Sequence, residues 1–175
     1  MKPKQYLRVL FVAVRPKTLP ATVAPVMIGT TMAYAGGQGH VGAAFAALAG
    51  ALLIQIGTNF ANDYFDYLKG ADNEERLGPL RVTQAGLVTP ETMFRNFVLT
   101  FGLAALVGLY LVYRGGWPIV LTGLLSIASG ILYTAGPWPL SYLGLGDLFV
   151  MFFFGPVAVG GTFYVQALAI SEISF

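Results

Sequence analysis

A chain of 175 residues with 56% hydrophobic and only 10% charged side chains lacks the roughly 25% charge of a soluble domain, and its surplus apolar surface has to face lipid. The formal net charge of +2 excludes the basic footprint of a nucleic-acid binder. The absence of cysteine excludes a disulfide framework, a thiol nucleophile and a cysteine metal centre.

The first twenty residues are basic and then briefly apolar. The apolar run Val9 to Val14 is too short for the core of a signal peptide, Arg15 and Lys17 interrupt it, and no small-residue cleavage site follows. This stretch reads as a cytoplasmic lead-in. The charge-free stretches that follow delimit the spans. Span one runs from about Leu19 to Tyr34, with Pro25 expected to kink it and Gly36-Gly37 ending it. Span two, Val41 to Phe60, contains no charge. A polar stretch from Asn62 to Arg95 holds most of the acids. Span three covers Phe97 to Tyr113, Arg114-Gly115-Gly116 makes a tight turn, and span four covers Trp117 to Tyr133. The Gly- and Pro-rich segment Thr134 to Gly146 reads as a loop, and span five covers Leu148 to about Ile170. The expected fold class is therefore an all-α, polytopic transmembrane bundle of about five helices in one domain, 1–175, set in the cell membrane.

Lysine and arginine set the orientation. Lys2, Lys4, Arg8, Arg15 and Lys17 precede span one, and Lys69, Arg76, Arg81 and Arg95 lie between spans two and three; the turns after spans one and three hold only Arg114. The N-terminus and the acidic loop are expected to be cytoplasmic.

The chemistry concentrates at the end of span two, in Gln55-Ile-Gly-Thr-Asn59-Phe-Ala-Asn62-Asp63-Tyr-Phe-Asp66. At about 100° per residue, Gln55, Asn59, Asn62, Asp63 and Asp66 fall within an arc of about 100°. Ile56, Phe60 and Phe65 take the opposite side. Beyond Gly70, Asp72 can fold back as a third carboxylate. Carboxylates at a membrane boundary are costly and usually face a polar cavity. Magnesium takes one or two carboxylates plus substrate phosphates and water, so this stripe suits a magnesium diphosphate, with asparagine amides adding oxygen ligands without charge. The plainer alternative is a helix end whose acids meet headgroup water. In the next segment, Arg76-Leu-Gly78-Pro79-Leu-Arg81-Val-Thr83-Gln84-Ala-Gly86, a Gly-Pro turn presents Arg81, Thr83 and Gln84 as donors. The planar fork of arginine suits diphosphate, although a positive-inside arginine in a solvated loop reads equally well. The aromatic segment from Tyr133 through Trp138 to Tyr142 reads as an interfacial belt or as π faces able to stabilise an allylic cation. Asp147 reads as a favourable charge at a helix N-terminus, and His40, in the outer turn, is given no role.

At these residues the sequence resembles the UbiA superfamily of intramembrane aromatic prenyltransferases. Asn62-Asp63-x-x-Asp66, with Asp72 beyond, matches the superfamily's first aspartate-rich motif. Arg15-Pro16-Lys17-Thr18-Leu19-Pro20, Asn59-Phe-Ala-Asn62-Asp63-Tyr64-Phe65-Asp66-Tyr67, Gly78 to Gly86 and Tyr133-Thr-Ala-Gly136-Pro137 extend the resemblance to the branch whose acceptor is 1,4-dihydroxy-2-naphthoate. The resemblance implies a magnesium-dependent transfer of a polyprenyl group from its diphosphate to that ring, with loss of carbon dioxide, giving demethylmenaquinone. It implies Asp63 and Asp66 as the catalytic carboxylates, Asp63, Asp66 and Asp72 as metal ligands, and Asn59, Asn62, Arg81, Gln84, Tyr133 and Lys17 as substrate-binding residues. Members of the superfamily have about nine spans and a second acidic motif. Five spans and one motif therefore suggest a fragment, incomplete at the C-terminus and inactive alone.

Three rivals stand beside this reading. The first is another branch of the superfamily with 4-hydroxybenzoate, homogentisate or heme as acceptor. The second is a small transporter or channel, although spans three to five bring no ionisable residue to mid-membrane. The third is a non-catalytic membrane-assembly protein.

Overall fold

The computed structural model describes residues 3–70, 80–141 and 143–168. Asp72, Arg76, Gly78, Pro79, Tyr142 and the expected end of the last span at Ile170 lie outside the described residues. Every described element is helical: α1 (Pro3–Val14), a 3₁₀ turn (Pro16–Thr18), α2 (Leu19–Ala35), α3 (Val41–Leu68), α4 (Pro90–Gly115), α5 (Trp117–Leu132) and α6 (Gly146–Phe152), which runs through a π turn (Phe153–Val157) into α7 (Ala158–Ala167). Four stretches are long and apolar enough to cross a membrane: Gln5–Ala35, Val41–Leu68, Pro90–Gly115 and Gly146–Ala167. The 16-residue α5 is apolar but shorter.

Local chemistry explains the boundaries. α2 stays helical through Pro25 and stops before Gly37, whose φ of 69° suits glycine. α3 begins at His40, whose Nδ1 accepts the Ala43 N–H at 3.1 Å. This capping role is one the sequence reading did not give it. α4 begins at Thr89, whose hydroxyl accepts the Thr92 N–H at 3.3 Å, with Pro90 in the first turn, where its missing N–H costs nothing.

Two findings go beyond the expected spans. α3 does not stop at Phe60 but continues to Leu68, carrying the acids on one face. Its other face is held by an aromatic cluster in which Tyr64 lies 5.4 Å from Phe94 and 5.7 Å from Phe97, and Phe65 lies 5.9 Å from Phe97, between ring centroids. The basic lead-in is itself a helix. Val9 and Ala13 of α1 are buried with Phe60, Ala61, Val82, Val88 and Met93, which places a core directly under the acidic stripe.

The opposite end is tied by buried polar contacts. Gln166 of α7 donates to Thr30 Oγ1 and to the Thr162 carbonyl, both at 3.1 Å, and accepts the His40 N–H at 3.3 Å. Arg114 Nε donates to the Val165 carbonyl at 3.1 Å. Between these ends α2 and α7 pack closely at Gly29, where a Cβ would lie 2.4 Å from the Val159 carbonyl oxygen, the small-residue approach typical of membrane helices. Gly29→Ala is expected to cost about 1–3 kcal/mol, near the upper end because the atom met is backbone. A fall in the thermal unfolding midpoint in detergent measures it, and an unchanged midpoint would contradict the packing.

Candidate functional site

The polar stripe divides between two environments. Gln55, Asn59 and Asn62 line a partly open cavity of about 510 Å³ between the helices. Asn59 Nδ2 donates to the Val14 carbonyl at 2.8 Å and to Thr18 Oγ1 at 3.1 Å, and Gln55 Nε2 donates to the same hydroxyl at 3.4 Å. These amides dock the α1–α2 junction onto α3. Asn62 Oδ1 accepts the Thr134 hydroxyl at 2.9 Å, and Lys69 Nζ donates to the Thr134 and Gly136 carbonyls, so the turn after α5 is bound to the same helix end.

Asp63 and Asp66 point to the 80–88 turn. Asp63 accepts the N–H groups of Val82 and Thr83, each at 3.1 Å, and Asp66 forms an ion pair with Arg81. Asp63 is 1% exposed, Asp66 3% and Arg81 8%. Charged groups are buried to this degree only when partnered. The turn has its own framework: the Ala85 N–H donates to the Arg81 carbonyl and the Gly86 N–H to the Thr83 carbonyl, both at 3.0 Å, with Gly86 at φ 66°. Val82 and Val88 anchor it in the core beneath.

The cavity is polar at one end and apolar beyond. Arg15, Thr18, Asn59, Asn62 and Tyr133 form the polar end, and Ala47, Leu111, Ile119 and Val165 lie far along the helices from it. Its size is that of a small-molecule site. Arg15 is the one cation on this lining among the described residues; its backbone takes the left-handed conformation, φ 55°, which is uncommon outside glycine. The sequence reading chose Lys17 instead, but Lys17 is exposed and off the cavity. Gln84 is likewise exposed. Of the expected substrate-binding residues, Asn59, Asn62 and Tyr133 reach the cavity, while Arg81 stands with the acids. The basic character of the segment Arg15 to Lys17 signalled a cation there. Which of the two faces inward depends on the left-handed backbone of Arg15 and the 3₁₀ turn that follows it, of which Lys17 is the middle residue.

The donor set around Asn62, Asp63 and Asp66 is all oxygen, which suits a hard divalent cation. Among the described residues no group of three or more His, Cys, Asp or Glu side chains stands together. Magnesium commonly completes such a set with substrate phosphates and water.

Comparison with known proteins adds the family. The model of the UbiA prenyltransferase family matches residues 22–173. The 1,4-dihydroxy-2-naphthoate octaprenyltransferase of Escherichia coli (strain K12) is 42% identical over 163 residues, covering 89% of this chain and 52% of that protein. The protein of the same name from Mycobacterium tuberculosis is 42% identical over 159 residues, 91% of this chain and 54% of its own. The 2-carboxy-1,4-naphthoquinone phytyltransferase of Synechocystis is 29% identical, over 91% of this chain and 51% of its own. The chain thus spans about half the length of the curated relatives it matches. With long apolar helices, buried acids beside a central cavity and a family match over nearly its whole length, this chain is a multi-pass membrane protein that belongs to the UbiA prenyltransferase family.

Proposed function

We propose that this chain carries the diphosphate-holding side of a transfer in which a polyprenyl group leaves its diphosphate and joins 1,4-dihydroxy-2-naphthoate. The allylic carbon–oxygen bond breaks, a carbon–carbon bond forms on the ring, and the ring carboxylate departs as carbon dioxide, the step of menaquinone biosynthesis that builds the demethylmenaquinone skeleton. One observation carries this reading: a single cavity, polar at Arg15, Asn59, Asn62 and Tyr133 and apolar beyond, lies beside the buried Asp63, Asp66 and Arg81. The names of the relatives support the naphthoate as acceptor.

Asp66 and Asn62 would hold magnesium together with the diphosphate. When bound, the cation neutralises charge on the departing diphosphate. Arg81 offers a fork matched to two phosphate oxygens. Tyr133 presents a ring to the cavity, where its π face favours a passing allylic cation. The apolar lining keeps water from that carbon. On this reading the basic N-terminus and the acidic helix end face the cytoplasm, where a soluble head group meets them, and the polyprenyl tail lies among the helices. Among the described residues Arg15 is the one charged side chain on the cavity lining, which favours a binding cavity over an ion pathway.

The test is an assay in membranes of the enzyme carrying this sequence, with magnesium, a polyprenyl diphosphate and each candidate acceptor in turn. Prenylated naphthoquinol, recovered as the quinone after oxidation by air, and released carbon dioxide and diphosphate are expected with 1,4-dihydroxy-2-naphthoate. Product with 4-hydroxybenzoate and none with the naphthoate would overturn the assignment.

A further inference from the structure

We infer that the two carboxylates of the stripe have different tasks: Asp63 is a positioning residue that holds the Arg81–Thr83 turn in place, and Asp66 is the carboxylate presented to cation and diphosphate. This rests on the function proposed above and departs from the expectation that both carboxylates ligate the metal.

The two carboxylates meet different kinds of partner. Asp63 meets backbone: Oδ2 accepts the Val82 N–H and Oδ1 the Thr83 N–H, each at 3.1 Å. The turn is closed by the Ala85 N–H on the Arg81 carbonyl, so Val82 and Thr83 are its first two residues, whose N–H groups find no acceptor inside the turn. One carboxylate satisfies both, through charge-assisted bonds. Asp63 is also 1% exposed, and each of its oxygens already faces the positive end of an amide. Each oxygen keeps a second lone pair, but both are tied to backbone, so turning this carboxylate toward a metal would drag the turn with it.

Asp66, one helical turn further along, meets a side chain instead, the Arg81 guanidinium. A side chain changes partner by rotation, whereas a backbone amide changes partner only if the turn moves. Arg81 directly precedes Val82, so the Asp63 clamp fixes where the guanidinium starts and thereby sets it on Asp66. Val82, 0% exposed among Phe60, Ala61 and Met93, fixes the same turn from below. The clamp also buries Thr83, whose hydroxyl has no hydrogen-bond partner among the described residues. The turn therefore brings a guanidinium and an uncommitted hydroxyl to the acidic helix end together.

The experiment uses the intact chain in lipid nanodiscs and two readouts: trypsin cleavage of the Arg81–Val82 bond, mapped by mass spectrometry, and Mn²⁺ binding with inorganic pyrophosphate, followed by electron paramagnetic resonance. Cleavage tracks local opening, and losing two charge-assisted bonds raises that opening by more than about tenfold. Asp63→Asn replaces an acceptor with an amide donor facing another donor. Its cleavage should therefore rise by more than about tenfold while Mn²⁺ affinity falls by less than about tenfold, the mild end for a group outside the metal's own ligands. Asp66→Asn weakens the ion pair to Arg81 but leaves the two backbone bonds of Asp63 in place, so its cleavage should rise less than that of Asp63→Asn, while Mn²⁺ affinity falls by about a hundredfold or more.

Thr83→Pro removes one of the two N–H donors and leaves both carboxylates, so it serves where Asp63→Asn folds poorly. It should raise cleavage and keep Mn²⁺ binding. The inference is overturned if Asp63→Asn loses Mn²⁺ as severely as Asp66→Asn with the Arg81–Val82 bond still protected, or if Thr83→Pro opens the turn with normal Mn²⁺ binding while Asp63→Asn abolishes it. Absence of Mn²⁺ binding by the unaltered chain would count against the proposed function, and the cleavage readout would still decide the role of Asp63.

Discussion

Asp66→Asn is expected to lower kcat/KM for the polyprenyl diphosphate by about 10²–10³-fold in the enzyme carrying this sequence, the range for removing one charge-stabilising contact from a water-excluded site. The substitution keeps the shape and one acceptor oxygen for Arg81, so the folded structure survives better than with alanine. What disappears is the negative charge that would attract a divalent cation. Asp66 is 3% exposed, so bulk water does not substitute for it. Steady-state kinetics across a magnesium titration decide the matter. Turnover that returns to normal at saturating magnesium would show that Asp66 tunes affinity and no more, and normal turnover at all concentrations would remove it from the site.

The second large effect belongs to Arg81. Arg81→Gln removes the buried guanidinium that pairs with Asp66, and breaking a buried ion pair from one side costs about 3–5 kcal/mol of stability, read as a fall in thermal unfolding midpoint. Arg81→Lys separates charge from geometry. A lysine ammonium preserves the countercharge, so stability is largely kept, but its point charge cannot grip two oxygens as the planar fork does. The expected result is a near-normal unfolding midpoint with KM for the diphosphate raised about tenfold, the worth of roughly one charged hydrogen bond. If lysine matches arginine in both readouts, the ion pair alone explains this residue and the diphosphate contact falls.

The spans were largely legible because they depend on local properties. Leu19, Val41 and Trp117 each open both an expected span and an observed helix, since the signal there is an uninterrupted apolar run after a turn. The side-by-side placement of Gln55, Asn59, Asn62, Asp63 and Asp66 was legible for the same reason, as helical spacing is a matter of counting. What these residues touch was not. The Asp63 bonds to Val82 and Thr83 join positions 19 and 20 apart, and the Asn62 bond to Thr134 joins positions 72 apart. No spacing rule encodes such contacts. The charge-free span ends at Phe60, but the helix carrying the acids runs on to Leu68, and the aromatic surface that Tyr64 and Phe65 find on α4 was not legible in the spacing. Arg15 and Lys17 are equally basic and two residues apart. The left-handed turn at Arg15 that brings it to the cavity lining is conformational information that composition does not hold.

The π turn between α6 and α7 has a geometric consequence of its own. Phe149, Phe153, Val157, Gly161 and Val165 all line the cavity, a repeat of four residues in a structure whose natural repeat is 3.6. On an uninterrupted α-helix each such step precesses by about 40°, so four steps would carry Val165 about 160° away from Phe149. The helix is instead kinked at Phe153–Val157, where Gly155 lies outside helical dihedrals at φ −93° and ψ −109° before Pro156. The kink thus resets the phase, so that two shorter helices each keep a face turned inward where one straight helix would have turned away.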